Sequence, residues 1–240
     1  MEDTARLALA CLDLTSLNDG DTDADVLKLC ERAAGPHGPI AAVCVWPRFV
    51  ALAKSKLPAA VRVAAVANFP DGSISIPRAV ADTRAIVEAG GDEVDVVMPY
   101  RDFAAAPALL AAVRAASEGR TLKVILETGE IADDDRIRDA ARIALAAGAD
   151  FLKTSTGKVK VNATPASARL LLEAVRGTKA GFKAAGGVRT VADAGVYIEL
   201  ARQHLGTVGP HNFRIGASGL LADIEAVLGG GGRPTSTSSY

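Results

Sequence analysis

The chain has 240 residues, of which 49% are hydrophobic, only 4% aromatic and 23% charged. Its 27 basic and 28 acidic side chains leave a net charge of −1 and form no basic block, which argues against nucleic acid as the main partner. The apolar share is enough for one large core of Ala, Val, Leu and Ile, yet the longest apolar runs are far too short for a bilayer, so no membrane partner is expected.

The opening Met1-Glu2-Asp3-Thr4 lacks the basic and apolar regions of a signal peptide. The three cysteines, Cys11, Cys30 and Cys44, form neither a metal-ligand spacing nor an even disulfide set, so a reducing cytoplasm is the expected location. An apolar run at Leu7–Leu14 predicts the first strand, followed by a helix over 22–34. Strand and helix then alternate: Ile40–Val45 and 47–56, Arg62–Ala67 and 76–89, Glu93–Met98 and 103–118, Thr121–Glu127 and 133–147. The series ends with Phe151–Thr154 and 164–176, Gly181–Ala184 and 190–205, Phe213–Gly216 and 218–228. Asp133-Asp134-Asp135 suits a helix start, where negative charge meets the dipole. Ala89-Gly90-Gly91 and Ala147-Gly148-Ala149 suit helix ends, because glycine takes the left-handed conformation that stops a helix.

Eight such pairs in strict alternation predict parallel strands in a (β/α)8 TIM barrel, in preference to an open doubly wound sheet. No linker interrupts the alternation, so the barrel is expected to fill 1–228. The remainder, 229–240, reads GGGGRPTSTSSY and predicts a flexible tail ending in Tyr240.

Charged residues recur at the C-terminal ends of the apolar runs: Asp13, Asp95, Glu127, Lys153 and Lys183. In a barrel that end carries the active site, and a charge inside an apolar strand needs a partner or a chemical purpose. Lys153 and Lys183 lie one βα unit apart and are expected to enter one pocket from neighbouring strands. Two ammonium groups held close disfavour each other's charge, which lowers the pKa of one and leaves it nucleophilic. Such an amine attacks a carbonyl to form a Schiff base, an electron sink for breaking a carbon–carbon bond. The competing reading pairs each lysine with a strand-end carboxylate for structure alone, and Glu127 is expected to be such a partner.

Three loops suit a phosphate: Thr154 to Lys158, Ala184 to Arg189 and Gly216 to Gly219. Their small residues let backbone N–H groups approach an anion at a helix N-terminus, and the loops after strands seven and eight are the usual phosphate seat in barrels. Arg189 is expected at the surface. His37, His204 and His211 share no spacing and are expected to be solvated or capping rather than metal ligands. Cys11 and Cys30 read as small core residues, and Trp46 as packing at a strand end.

KTSTGK around Lys153, FKAAGGVRT around Lys183, EVDVVMP around Asp95 and LDLTSLND around Asp13 together resemble the 2-deoxyribose-5-phosphate aldolases. VCVWPRF around Cys44, ANFPDG at 67–72 and RIGASG at 214–219 extend the resemblance, which runs from about residue 7 to 228 and again at Tyr240. It implies a TIM barrel needing neither metal nor organic cofactor, with Lys153 as Schiff-base nucleophile and Lys183 lowering its pKa. It further implies that Asp95 moves protons through an ordered water and that Tyr240 assists protonation of the enamine carbon. Asp13, Thr15 and Cys44 match residues near the substrate, and Gly157, Lys158, Gly186, Gly187, Ser218 and Gly219 match the phosphate and substrate loops. Gly219 stands where the family has a second serine, so one hydroxyl donor is lost while the backbone N–H remains. The partners implied are a sugar phosphate and acetaldehyde, with a homo-oligomer open. Another lysine-dependent barrel aldolase or transaldolase is the alternative, and a non-catalytic sugar-phosphate-binding barrel a more distant one.

Overall fold

The structure is a computed structural model that describes residues 1–229. Eight parallel strands close into a barrel: β1 (Leu12–Thr15), β2 (Ala42–Val45), β3 (Arg62–Ala67), β4 (Glu93–Val97), β5 (Thr121–Ile125), β6 (Phe151–Lys153), β7 (Gly181–Ala185) and β8 (Phe213–Ala217). Each pairs with its neighbours in chain order, and β8 returns to β1 through Leu12 opposite Ile215 and Asp13 opposite Gly216. The expected (β/α)8 TIM barrel is the observed architecture.

Alternation along each strand sorts the side chains between two surroundings. Val94, Val96, Leu122, Val124, Leu152, Phe182, Ala184, Phe213 and Ile215 are all fully buried and belong to the apolar core. Between them on the same strands stand Glu93, Asp95, Lys123, Lys153, Lys183 and Arg214, which ion-pair with one another inside the barrel. The sheet therefore turns hydrocarbon to its outer layer and charge to its interior.

The outer layer consists of α1 (Glu2–Ala10), α2 (Asp23–Ala33), α3 (Val50–Lys56), α4 (Ile76–Glu88), α5 (Ala106–Ala116), α6 (Thr128–Ile131), α7 (Asp134–Ala146), α8 (Pro165–Val175), α9 (Val191–Leu205) and α10 (Leu220–Leu228). Local chemistry sets many of their ends. Thr22, Thr164 and Thr190 each form a reciprocal capping box, and Asp133 accepts from the N–H of Arg136 at 2.8 Å, each cap contributing about 1 kcal/mol. Gly90 (φ 87°) and Gly148 (φ 85°) stop α4 and α7 in the left-handed conformation their positions require.

One expected strand is corrected. Leu7 to Ala10 belong to α1, not to the first strand, which starts only at Leu12. Ala5, Ala8 and Leu9 recur at helical spacing and are the buried face of α1, which packs against α9 and α10. β4, β5 and β6 end one or two residues before their expected limits, β7 and β8 run one residue past theirs, and β2 starts two residues later; β5 stops at Ile125 because Glu127 turns left-handed (φ 58°) to start α6. A two-stranded hairpin, Ala34–Gly35 with Gly38–Pro39, and the short α6 were not expected. The expected tail, with Tyr240, lies outside the described residues. Among the described residues, no helix is long and apolar enough to cross a membrane.

Candidate active site

The register of β6 against β7 sets Lys153 directly opposite Lys183, and that of β4 against β5 sets Asp95 opposite Lys123. Across the barrel these side chains meet. Oδ2 of Asp95 accepts from Lys153 Nζ at 2.9 Å and from Lys183 Nζ at 2.8 Å, while its Oδ1 accepts from Lys123 Nζ at 2.7 Å. Lys183 also donates to Asp13 Oδ2 at 2.5 Å. Deeper in the barrel, Lys123 pairs with Glu93, and Arg214 bridges Asp13 (2.8 Å) and Glu93 (2.9 Å). Gly216 leaves room for this arrangement, since a Cβ there would lie 3.0 Å from Cε of Lys183.

These ion-paired groups comprise three carboxylates, Asp13, Glu93 and Asp95, and four cations, Lys123, Lys153, Lys183 and Arg214. One cation is in excess. Lys123 reaches three of the carboxylates, Lys183 and Arg214 two each, and Lys153 one, an oxygen it shares with Lys183. Lys153 is thus the least compensated amine.

The proton affinities follow this arithmetic. Burial disfavours the charge of Lys153, the Lys183 cation adds to that, and Asp95 does not offset both, so its pKa is lowered. Burial also opposes the charge of Lys183, but Asp13 and Asp95 outweigh it and raise its pKa. Lys123 is raised for the same reason, with Asp95, Glu93 and Asp13 around it. Against the cost of their own burial, Asp95 and Asp13 are held well below the ordinary carboxylate range by the cations that surround them. The site therefore contains one amine whose pKa is lowered beside neighbours whose charges are reinforced. The two lysines meet on one carboxylate oxygen, and the pKa of Lys153 is lowered, with burial as the larger cause and the second cation as the smaller.

Cys44 lies on the same side of the site, its Sγ 4.0 Å from Asp95 Oδ2, and burial and Asp95 raise its pKa, which keeps the thiol protonated and weakly nucleophilic. Thr15 is half-buried and donates back to the carbonyl of Asp13 at 3.0 Å. The Glu127 carboxylate is not a lysine's partner as expected; it accepts from the N–H of Thr156 at 3.2 Å and so holds the loop that follows Lys153. Lys158 at the end of that loop donates to the carbonyl of Leu17 at 2.7 Å, joining the loops after β6 and β1.

Gly157, Gly186 and Gly187 all have positive φ (85°, 81° and 84°), and Gly186 sits so close to Asn162 that a Cβ would meet that side chain at 2.7 Å. Gly219 begins α10 with no side-chain cap, whereas the N-terminus of α9 is already closed by Thr190 and Asp193. Ser218 and Gly219 are exposed, as is Arg189, in keeping with its expected surface place. Trp46 packs edge-on against Phe69 at the end of β2, and His204 bonds the Leu200 carbonyl within its own helix.

Lys123, Glu93 and Arg214 were not singled out from sequence, though each is a charge inside an apolar strand, the same signal that marked Asp95. Two of the cavities among the described residues lie away from Lys153. The larger, about 270 Å³, lies at the foot of the barrel between Arg62, Glu93, Arg120, His211 and Arg214, at the opposite end from Lys153. The other, about 230 Å³, is bounded by Tyr100, Arg101, Glu130, Ile131 and Arg136 on the outer rim. Lys153 itself is 3% exposed and reaches the C-terminal end of the strands, where barrel enzymes do their chemistry.

Fold and site together define a barrel enzyme organised around a buried amine. The comparisons specify which. Residues 7–222 match the model of the DeoC/LacD family aldolases. The deoxyribose-phosphate aldolase of Agrobacterium fabrum is 46% identical over 250 aligned positions, covering 99% of this chain and 96% of that one. Among solved structures, a Toxoplasma gondii ME49 protein proposed to be a deoxyribose-phosphate aldolase is 27% identical with a TM-score of 0.86, covering 95% of this chain and 97% of that one. The deoxyribose phosphate aldolase of Aeropyrum pernix, described as a unique tetramer, is 27% identical with a TM-score of 0.77, covering 94% and 91%. The chain belongs to the DeoC/LacD aldolase family and is an aldolase.

Proposed function

We propose that the chain cleaves 2-deoxy-D-ribose 5-phosphate reversibly to D-glyceraldehyde 3-phosphate and acetaldehyde, through a Schiff base on Lys153. The observation that carries this reading is the sharing of one Asp95 oxygen by Lys153 and Lys183, with the pKa of the first lowered and that of the second raised. The family match and the 46% identity to a deoxyribose-phosphate aldolase support the substrate.

Neutral Lys153 keeps an N–H on Asp95 and directs its lone pair at the open-chain aldehyde. Addition and loss of water give the iminium. A water held by Asp95 relays the proton of the C3 hydroxyl to the Asp95 carboxylate as the C2–C3 bond weakens. The C2–C3 bond then breaks, its electrons flow into the iminium, and glyceraldehyde 3-phosphate leaves. The enamine takes a proton at carbon, a step for which Tyr240 is the candidate on the family resemblance. Hydrolysis releases acetaldehyde and restores the amine. Asp13 holds Lys183 in place, while Thr15 and Cys44 border the substrate. The phosphate rests on backbone N–H groups of Gly187, Ser218 and Gly219, favoured by the open N-terminus of α10, with Gly186, whose own N–H donates to the Gly216 carbonyl, shaping the loop and Gly157 and Lys158 closing the other side.

A cytoplasmic enzyme forming a homo-oligomer completes the reading; the tetrameric Aeropyrum pernix relative supports the latter. Borohydride added with acetaldehyde attaches a two-carbon adduct to Lys153, located by mass spectrometry of peptides, and Lys153→Ala abolishes both adduct and retro-aldol activity. An adduct on any other residue counts against the assignment.

A further inference from the structure

Beneath the reacting amine, the barrel interior holds a buried ion pair that touches neither Lys153 nor the space above it. Glu93 (2% exposed) and Arg214 (6% exposed) stand at the N-terminal ends of β4 and β8. The guanidinium reaches Glu93 Oε1 at 2.9 Å, Glu93 Oε2 at 3.2 Å and Asp13 Oδ1 at 2.8 Å, donates from Nε to the Pro210 carbonyl, and lies 5.4 Å from the ring centre of Phe151. We propose that Glu93 and Arg214 are positioning residues for the lysine chemistry: their opposite charges complete the balance of the interior and so leave Lys153 as the amine with least carboxylate around it. This rests on Lys153 being the nucleophile.

The connections run in two lines. Glu93 pairs with Lys123, which pairs with Asp95, which receives Lys153. Arg214 pairs with Asp13, which pairs with Lys183, which also donates to Asp95. Lys123, Lys183 and Arg214 equal the three carboxylates in number, and the interior is neutral when Lys153 carries no proton. Removing the Arg214 charge turns Asp13 and Glu93 toward Lys123 and Lys183. Their hold on Asp95 slackens, and Lys153 becomes its counter-cation. Removing the Glu93 charge does the reverse. The groups facing Lys153 are Asp95 from β4, Lys183 from β7, Cys44 from β2, Lys123 from β5 and Glu127 after β5. Glu127, occupied by the N–H of Thr156, stands outside the ion-paired set. Loss of either charge at the foot need not unfold the barrel, because both residues border the polar cavity of about 270 Å³, where water can satisfy a new amide.

The test is the pH dependence of kcat/KM for retro-aldol cleavage by the full chain, whose acid limb reports the free enzyme's essential base. Substrate ionisation is common to all variants and cancels in the comparison. Arg214→Gln moves the acid limb to higher pH by about one unit and Glu93→Gln moves it to lower pH by about as much, a tenfold change in proton affinity in each direction. The double variant Glu93→Gln/Arg214→Gln brings the limb back toward its original position, and Arg214→Lys, which keeps the charge, leaves it in place. A merely structural pair lowers activity and melting temperature in both single variants without opposite shifts, and that result overturns the proposal. So does a full-unit shift in Arg214→Lys, which keeps the test decisive if the glutamine variants do not fold. Acetaldehyde trapping separates the two levels. An adduct on Lys153 with immobile limbs sinks only the charge-balance role, whereas no adduct on Lys153 in the unaltered protein sinks the reading beneath it.

Discussion

Lys153 and Lys183 donate to the same atom. Their nitrogens lie 2.9 and 2.8 Å from Oδ2 of Asp95, and yet their proton affinities move in opposite directions. The difference is Asp13, which gives Lys183 a second carboxylate and gives Lys153 none. Two chemically identical side chains on adjacent strands are thereby divided into one amine whose proton is held more weakly and one whose proton is held more firmly.

Lys183→Met tests that division. Without the Lys183 cation, Asp95 loses a competitor and Lys153 gains the carboxylate to itself, so its pKa rises and the acid limb of activity moves to higher pH. Near pH 7 kcat/KM falls by about a hundredfold, equivalent to about two units, and much of it returns as the pH is raised. A loss that is uniform at every pH points instead to direct proton transfer by Lys183.

Asp95→Asn removes the shared acceptor and sets Lys123 and Lys183 against each other with less counter-charge. Breaking a buried pair in this way costs about 3–5 kcal/mol, read as a fall in denaturation midpoint, while kcat drops by about 10²–10⁴. The same carboxylates govern acid stability. Asp13 and Asp95 have folded pKa values below the unfolded value of about 3.9, so at low pH protons bind the unfolded chain more readily. The stability they contribute is complete above about pH 4 and is lost as pH falls toward the folded values. Urea denaturation at successive pH values displays this loss, and the Asn variant shows a shallower one.

The phosphate loops are tested by a gain and a loss. A Cβ at Gly219 meets nothing within 4 Å and φ there is −100°, so Gly219→Ser fits and adds a hydroxyl at the open start of α10. One added hydrogen bond to a charged group at this exposed place contributes about 1 kcal/mol, a KM for the sugar phosphate about fivefold lower. Gly186→Ala, at φ 81° and against Asn162, raises that KM and costs about 1–2 kcal/mol of stability. Neither variant alters KM for unphosphorylated deoxyribose; an equal effect on both sugars removes the phosphate assignment from these loops.

Deleting Tyr240 slows deuterium exchange at the acetaldehyde methyl group, followed by NMR, by about 10²-fold while imine trapping on Lys153 persists. Unchanged exchange excludes Tyr240 from the proton step.

Sequence pattern alone specified alternation, strand number and several helix ends, because these depend on neighbours a few residues away: the start at Asp133, stops at Gly90 and Gly148, charges breaking apolar runs at Asp95, Lys153 and Lys183. It misassigned Leu7 to Ala10, since a short apolar run reads equally as strand or helix until α9 and α10 are there to bury it. It also misjudged Glu127, whose partner is the backbone of Thr156 on the next strand's loop.

What the chain order could not reveal is who faces whom across a closed interior. Lys183 and Arg214 meet Asp13 from the far end of the sequence, because closure of β8 on β1 brings the first and last strands together, and Arg214 reaches Glu93 of β4 across the interior. The presence of two lysines was local information. Which of them has its pKa lowered was decided by the count and placement of carboxylates around each, and only the closed barrel sets those, since buried charges interact with whatever lies nearest in space.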